Sequence, residues 1–313
     1  MPTTRRIQYH QYGGPEVLRL EDFEPRQLGA DDVLVRVCAA AANPMDFGIR
    51  SGRMKMVTGR SFPRGLGYDF AGVVEAIGEN VTRLRVGDEV LGAASMKDSG
   101  AFGDVVVAGQ AGVVHKPAGL PFDAAATLPI AAGTAYQALF RVGSLQPGES
   151  VFVHASLGAV GRSAVQIAST HGATVAGSCR PRSEPEAREL GVDPIVDFDF
   201  DPTALNRRFD VVLDTAGTLP IKKARRMLAR GGRIVSVKPS PANMLRSGLP
   251  GPFHVVIGKF VTADLEAVAR AAGDGHLRLP IAQTVPLAQA IPALTQLEHN
   301  GFAKRGKLVI VPG

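Results

Sequence analysis

Gly158 and Gly161 stand three residues apart between two apolar segments. Val151-Phe-Val-His154 before them reads as a strand, and Arg162-Ser-Ala-Val-Gln-Ile-Ala168 after them has the apolar spacing of a helix face. A glycine in a tight strand-to-helix turn lets the backbone approach a ligand. A second one on the first helical turn lets helix and strand pack closely, and unpaired N–H groups at the helix start then face an anion. This is how a dinucleotide pyrophosphate is held, although Ser156 occupies the place of the first glycine of the usual three. Ser156, Leu157, Gly158, Val160 and Gly161 are the candidate contacts, and a purely structural turn is the alternative. Roughly 20 residues on, an NAD-binding chain places an acid for the ribose 2′-hydroxyl. Here Gly177-Ser-Cys-Arg-Pro-Arg182 has no acid, one hydroxyl and two guanidiniums. Guanidinium pairs with phosphate where carboxylate repels it. NADP(H) is therefore the expected cofactor, with Ser178, Arg180 and Arg182 around the 2′-phosphate; a solvated basic loop is the alternative.

The elements that must position these residues alternate. After Val151–His154 and the helix Gly158–His171 come a strand at Thr174–Ser178, a short helix at Glu184–Leu190 and a weak strand at Pro194–Val196. A strong strand at Phe209–Asp214, a helix through Leu219–Arg230 and a strand at Arg233–Val237 follow. Such alternation implies a parallel sheet with helices on both faces. Ala124–Phe140, ahead of it, reads as helix broken at Pro129 and Gly133. The stretch up to residue 122 is strand-rich, with Val33–Cys38, Phe70–Ile77, Val86–Leu91 and Gly103–Ala108 punctuated by Gly and Pro. Near the end, Pro239–Pro252 reads as loop, Phe253–Val261 and Gly306–Val311 as strands, and Asp264–Ala272 and Leu287–His299 as amphipathic helices. The expected class is α/β, with a β domain over 1–122, a doubly wound parallel-sheet domain over 123–262, and a return to the first domain over 263–313.

Composition narrows the function. The chain has 313 residues, 45% hydrophobic and 20% charged, which suits a folded core rather than extended disorder. Two cysteines, Cys38 and Cys179, build neither a disulfide framework nor a cysteine-based zinc module. Cys179 lies beside two arginines, which would activate its thiol if exposed. A net charge of +6, 6% aromatics and no Trp argue against nucleic acid as partner. Ala124–Phe140, the longest uncharged stretch, falls short of the ~20 residues of a membrane span. Met1–Tyr9 lacks the apolar core of a signal peptide, so a cytoplasmic location is expected.

Further segments carry a resemblance. Gly13–Leu18, Ala42-Asn-Pro-Met-Asp46 with Arg50-Ser-Gly52, Gly67–Val74 and Gly87-Asp-Glu-Val90 occur in that order. Pro129–Leu139, Asp210–Gly217, Gly231–Val235 and Arg305-Gly-Lys-Leu-Val309 follow. Together they resemble the medium-chain dehydrogenase/reductase superfamily, in its zinc-free quinone oxidoreductase (zeta-crystallin-like) branch. The resemblance implies a GroES-like β domain made from both chain ends, a central Rossmann domain, an active site in the cleft between them, and a homodimer.

In zinc-dependent relatives a Cys and a Gly-His-Glu segment supply metal ligands. Asn43-Pro44 and Tyr68-Asp69 stand at those places here, so no metal site is expected. Without a Lewis acid the acceptor must be easy to reduce: a quinone or an α,β-unsaturated carbonyl, taking hydride from NADPH. By the resemblance, Asn43, Asp46, Tyr68 and Thr134 are the catalytic candidates, with Thr134 also near the nicotinamide ribose. Asn43 would donate to the carbonyl or the ribose, and Tyr68 would donate a hydrogen bond or relay a proton. Plainer alternatives are a turn at Asn43-Pro44, an Asp46–Arg50 pair, and Tyr68 as pocket wall. Gly48 stands where many quinone reductases carry Tyr, which leaves more room for other enones or alkenals. Met45, Met54 and Met56 suit a broad apolar acceptor. Two further functions stay open: a trans-acting enoyl-thioester reductase using the Lys222–Arg230 basic cluster, and a low-turnover NADPH-binding redox sensor.

Overall fold

The computed structural model describes residues 4–96, 99–301 and 306–313. Met1–Thr3 of the opening and Arg305 of the terminal motif lie outside the described residues. The chain divides into two compact units. One is Met1–Ile130, Phe260–Asp274 and Arg278–Gly313, and the other is Ala131–Lys259 and Gly275–Leu277.

The first unit is mostly sheet. Strands β1 (Arg5–Tyr9), β2 (Arg19–Asp22), β3 (Asp32–Ala41), β4 (Arg64–Gly65), β5 (Asp69–Ile77), β6 (Glu89–Ala93), β7 (Val105–Gly109) and β8 (Val113–His115) come from its N-terminal part. Strands β1, β2 and β4 make a three-stranded sheet. Strands β3, β5, β6 and β8 continue into a seven-stranded one, with β7 pairing β3. Val33, Val35, Val37, Phe70, Val74 and Val90 lie in its core, those of β3 spaced by two along the strand. Helix α1 (Pro44–Arg50) leaves the end of β3, and a short α2 (Lys55–Thr58) follows. Helix α3 (Phe122–Ala126) packs on β3, β5 and β6. That packing moves the boundary of this unit to residue 130, past the expected 122.

Helix α4 (Pro129–Tyr136) passes into the second unit. Gly133 sits inside it and does not break it, and Pro129 opens it at the position where a missing N–H costs nothing. The second unit then builds the expected sheet: β9 (Ser150–His154), helix α5 (Ala159–Thr170), β10 (Thr174–Ser178), helix α6 (Glu184–Glu189), β11 (Ile195–Val196) and β12 (Phe209–Asp214). Helix α7 (Ile221–Met227), β13 (Leu228–Ser236), helix α8 (Pro241–Ser247) and β14 (Phe253–Val255) complete it. All pairs are parallel, in the order β11-β10-β9-β12-β13-β14. The chain winds outward first one way and then the other from β9. This is the doubly wound dinucleotide-binding order, whose crevice opens between β9 and β12 at their carboxyl ends.

Three expectations are corrected here. The helix expected to reach Arg230 stops at Met227, because Leu228 already pairs with Phe209. The expected loop 239–252 contains α8, started by Ser240, whose side chain accepts from Asn243 N–H, with Pro241 in the first turn. The strand expected to run to Val261 ends at Val255, where its partner β13 runs out at Ser236.

The chain then returns to the first unit through helix α9 (Thr262–Gly273), β15 (Ile281–Pro286), helix α10 (Ala290–Asn300) and β16 (Lys307–Val311). Strand β16 lies antiparallel beside β3, so the returning chain extends the seven-stranded sheet.

Candidate cofactor and active site

In the second unit the turn after β9 is built around Ala155, which takes a left-handed backbone at φ 59°. That conformation costs a non-glycine residue about 1–2 kcal/mol. It is held from three sides. Ala155 N–H donates to Ser178 Oγ at 3.1 Å. Its carbonyl accepts from Gly158 N–H at 3.1 Å and from Thr215 Oγ1 at 3.3 Å. Gly158 is the exposed N-cap of α5 and carries no side chain over the first helical N–H groups. Gly161 is required for another reason: a Cβ there would lie 2.2 Å from the Ala155 carbonyl oxygen. Leu157, Val160 and Thr134 are half-buried. Ser156 is fully buried and faces inward, giving both its N–H (2.9 Å) and its hydroxyl (3.2 Å) to Ser178 O.

The end of β10 separates the predicted phosphate ligands. Ser178 is buried and its hydroxyl lies 2.8 Å from His154 Nδ1. Arg180 and Arg182 are exposed, and neither guanidinium has a partner among the described residues. Their neighbours differ: Arg162 pairs with Glu186 and Arg188 with Glu184. Cys179 is buried, and burial together with Glu184 and Glu186 pushes its thiol up, which removes the reactive thiol considered from sequence.

In the first unit Asn43, Asp46 and Asp69 converge with Lys307, and all four are buried. Asn43 leads from β3 into α1, where Asp46 Oδ2 accepts from Asn43 N–H at 2.6 Å and caps the helix. The Asn43 amide donates to Asp69 Oδ2 at 2.8 Å and Ala41 O at 3.3 Å, and its oxygen accepts from Lys307 Nζ at 2.6 Å. Asp69 Oδ1 accepts from Ile130 N–H at 2.9 Å, and its Oδ2 lies 3.6 Å from the Lys307 ammonium. Burial, then the nearby Asp69, push the Asp46 carboxyl up to about 8 against the bond from Asn43 N–H, so it keeps its proton at neutral pH. Asp69 stands at about 6, raised by burial against the pull of Lys307. Asp69 and Lys307 thus balance one another's charge.

Tyr68 is 1% exposed; burial raises its phenol, with Ser99 hydrogen-bonded to it, so it stays a neutral donor. Asp46 and Arg50 do not pair: Arg50 Nη2 reaches both Glu298 oxygens at 2.7 and 2.6 Å. Met45 and Met54 are half-buried, while Met56 is 97% exposed. Sequence reasoning passed over Asp69 and Lys307. Their signal was present: a lone acid before Phe70-Ala-Gly-Val-Val74 and a lone base before Leu308–Val311 are charges in apolar strands, which must be paired once buried.

Two families match this chain: the alcohol dehydrogenase GroES-like domain over residues 29–130 and the zinc-binding dehydrogenase family over 190–310. A quinone oxidoreductase of Pseudomonas aeruginosa is 31% identical, covering 98% of this chain and 99% of that one. The chain belongs to the quinone oxidoreductase branch of the medium-chain dehydrogenase/reductase superfamily. An NADPH-dependent alkenal/one oxidoreductase of Arabidopsis thaliana is 34% identical over 73% of this chain and 61% of its own. Among solved structures, the quinone oxidoreductase from Coxiella burnetii superposes with a TM-score of 0.86 at 29% identity, covering 98% of this chain and 99% of that one. These likenesses identify the first unit as the GroES-like domain and the second as the Rossmann domain.

The zinc in one family's name does not fit these side chains. Asn43 and Tyr68 replace thiolate and imidazole, and the Asn43 amide is already bonded to Asp69 and to the Lys307 ammonium. Among the described residues no group of three or more His, Cys, Asp or Glu could hold a metal.

Proposed function

We propose that this protein reduces quinones or other α,β-unsaturated carbonyls with NADPH and without zinc. The observation that carries the reading is the Asn43–Asp69–Lys307 cluster, in which a buried ammonium and an amide stand where a Lewis acid would need anionic or imidazole ligands. When bound, NADPH supplies a hydride. Acceptors already polarised by conjugation need only hydrogen-bond donors as charge develops on oxygen. The named activities of the Pseudomonas and Arabidopsis relatives, quinone and alkenal/one reduction, support this acceptor class.

The chain's own groups divide the work. Gly158 and the N–H groups of the first turn of α5 receive the pyrophosphate, with Leu157 and Val160 beside them. Thr134 takes the nicotinamide ribose. Arg180 and Arg182 take the 2′-phosphate, since both guanidiniums are without a partner among the described residues while the Ser178 hydroxyl is spent on His154. Tyr68 keeps its proton and donates a hydrogen bond. Asn43 acts by position, its amide fixed by Asp69 and Lys307, and Asp46 holds a proton behind it.

A homodimer and a cytoplasmic location complete the reading. No helix among the described residues is long and apolar enough to cross a membrane. A carrier-bound enoyl thioester is the second acceptor to try, because Lys222 and Arg225 on α7 are exposed and without acidic partners among the described residues.

The test is NADPH oxidation with a benzoquinone, a naphthoquinone, an alkenal, a cyclic enone and an enoyl thioester. Each is repeated with NADH and after chelator treatment. Fast turnover of a quinone or enone with NADPH, unchanged by chelator, is expected. Chelator inactivation would overturn the zinc-free reading. NADPH binding with no acceptor turned over would favour the redox sensor.

A further inference from the structure

We propose that His154 is a positioning residue for the cofactor-binding turn, acting through the Ser178 hydroxyl on the left-handed Ala155; this rests on the NADPH reading above. His154 ends β9 and Ser178 ends β10, at the crevice where the strand order reverses. Ser178 Oγ accepts from Ala155 N–H at 3.1 Å. The hydroxyl proton is thereby left to donate to His154 Nδ1 at 2.8 Å. An accepting Nδ1 places the imidazole proton on Nε2, which donates to Thr218 Oγ1 at 3.0 Å. Thr218 in turn sits on the loop after β12, whose N–H groups from Ala216 to Leu219 converge on the Asp214 carboxylate. One neutral imidazole thus ties the carboxyl ends of β9, β10 and β12 around the turn.

The imidazole is 2% exposed and meets the Phe198 ring edge-on at 5.2 Å. Burial holds it below the ordinary histidine range; Asp214 pulls upward and Lys223 downward. Protonation turns Nδ1 into a donor. Ser178 would then face two donors, Nδ1–H and Ala155 N–H, and its own proton would lose its acceptor. The turn loses the hydrogen-bond order that keeps Ala155 left-handed.

Equilibrium titration of the full chain with NADPH, without acceptor, tests this. The variants are His154→Leu, His154→Asn, Ser178→Ala and the His154→Leu/Ser178→Ala double. An asparagine oxygen can stand in for Nδ1 as acceptor; leucine cannot. Each of the leucine and alanine variants is expected to weaken binding about fivefold, the worth of one neutral hydrogen bond. The double variant is expected to weaken it no further, and asparagine to restore wild-type affinity. On acidification the wild type should lose affinity faster than His154→Asn. Unchanged affinity in His154→Leu with a lowered melting temperature would overturn the proposal, as would an asparagine variant no better than leucine. If the wild type fails to bind NADPH, the function reading falls with it; if all variants bind equally well, only this inference falls.

Discussion

Arginines 180 and 182 differ from Arg162 and Arg188 in what they touch. Arg162 and Arg188 are spent on glutamates, while these two are exposed and free among the described residues. A charge-assisted bond to phosphate is worth about 1.5–3 kcal/mol. The double substitution Arg180→Glu/Arg182→Glu should therefore weaken NADPH at least about tenfold and leave NADH within about twofold; parallel titrations check it. Asp46 carries a different expectation. Its carboxyl is pushed up to about 8 by burial, against about 4 in an unfolded chain. The folded state therefore holds a proton that the unfolded state has lost. The stability this contributes is present below about pH 4 and drains away as pH rises through about 8. Asp46→Asn cannot ionise, and its amide oxygen can still cap Asn43 N–H. Its stability relative to wild type should rise between pH 5 and 8 by more than about 1.4 kcal/mol, the worth of one pKa unit. Denaturant unfolding at the two pH values measures this, and parallel curves would refute it. Single residues were only partly legible in the sequence. Gly161 declares itself by type and spacing. The inward turn of Ser156 and Ser178 does not, because a hydroxyl has no preferred side until its neighbours are placed.

The turn between β9 and α5 shows how an element limits its residues. The Ala155 carbonyl bends under the first turn of α5, so any side chain at 161 meets it. Gly161→Ala should cost about 1–3 kcal/mol as overpacking and displace the turn. A lowered melting temperature together with weaker NADPH binding is the expected pair of results. A drop in melting temperature with unaltered binding would show that the turn is structural only. Elements of this kind were readable because their signals are local: alternation for β3 and β5, strand-Gly-helix order for β9 and α5. What the sequence hid depended on partners. Where β14 ends follows from where β13 ends, and Leu228 belongs to a strand only because Phe209 lies beside it. Helix α8 is hidden for another reason: Pro and Ser favour loops, yet Ser240-Pro241 is also a helix start.

At the scale of the molecule, the six-stranded sheet has two open edges, β11 and β14. A free strand edge presents unpaired N–H and C=O groups and invites another chain unless it is short or covered. Both edges are short, but that of β14 adjoins apolar surface. Leu245 on α8 is 73% exposed and Leu249, just beyond it, 59%. A second copy related by a two-fold axis would set β14 antiparallel to its mate and place the same patch on both sides, the self-complementary arrangement a homodimer requires. On this argument the 32.9 kDa chain should run at twice that mass in light scattering. Leu245→Glu/Leu249→Glu should halve it. Both side chains are exposed in the single copy, so their replacement there should change stability by no more than about 0.5 kcal/mol. Any larger loss of melting temperature must then come from the lost partner, and it should diminish as the wild type is diluted toward monomer. A wild-type chain that is monomeric at every concentration would refute the dimer, and an intact dimer in the double variant would place its interface elsewhere.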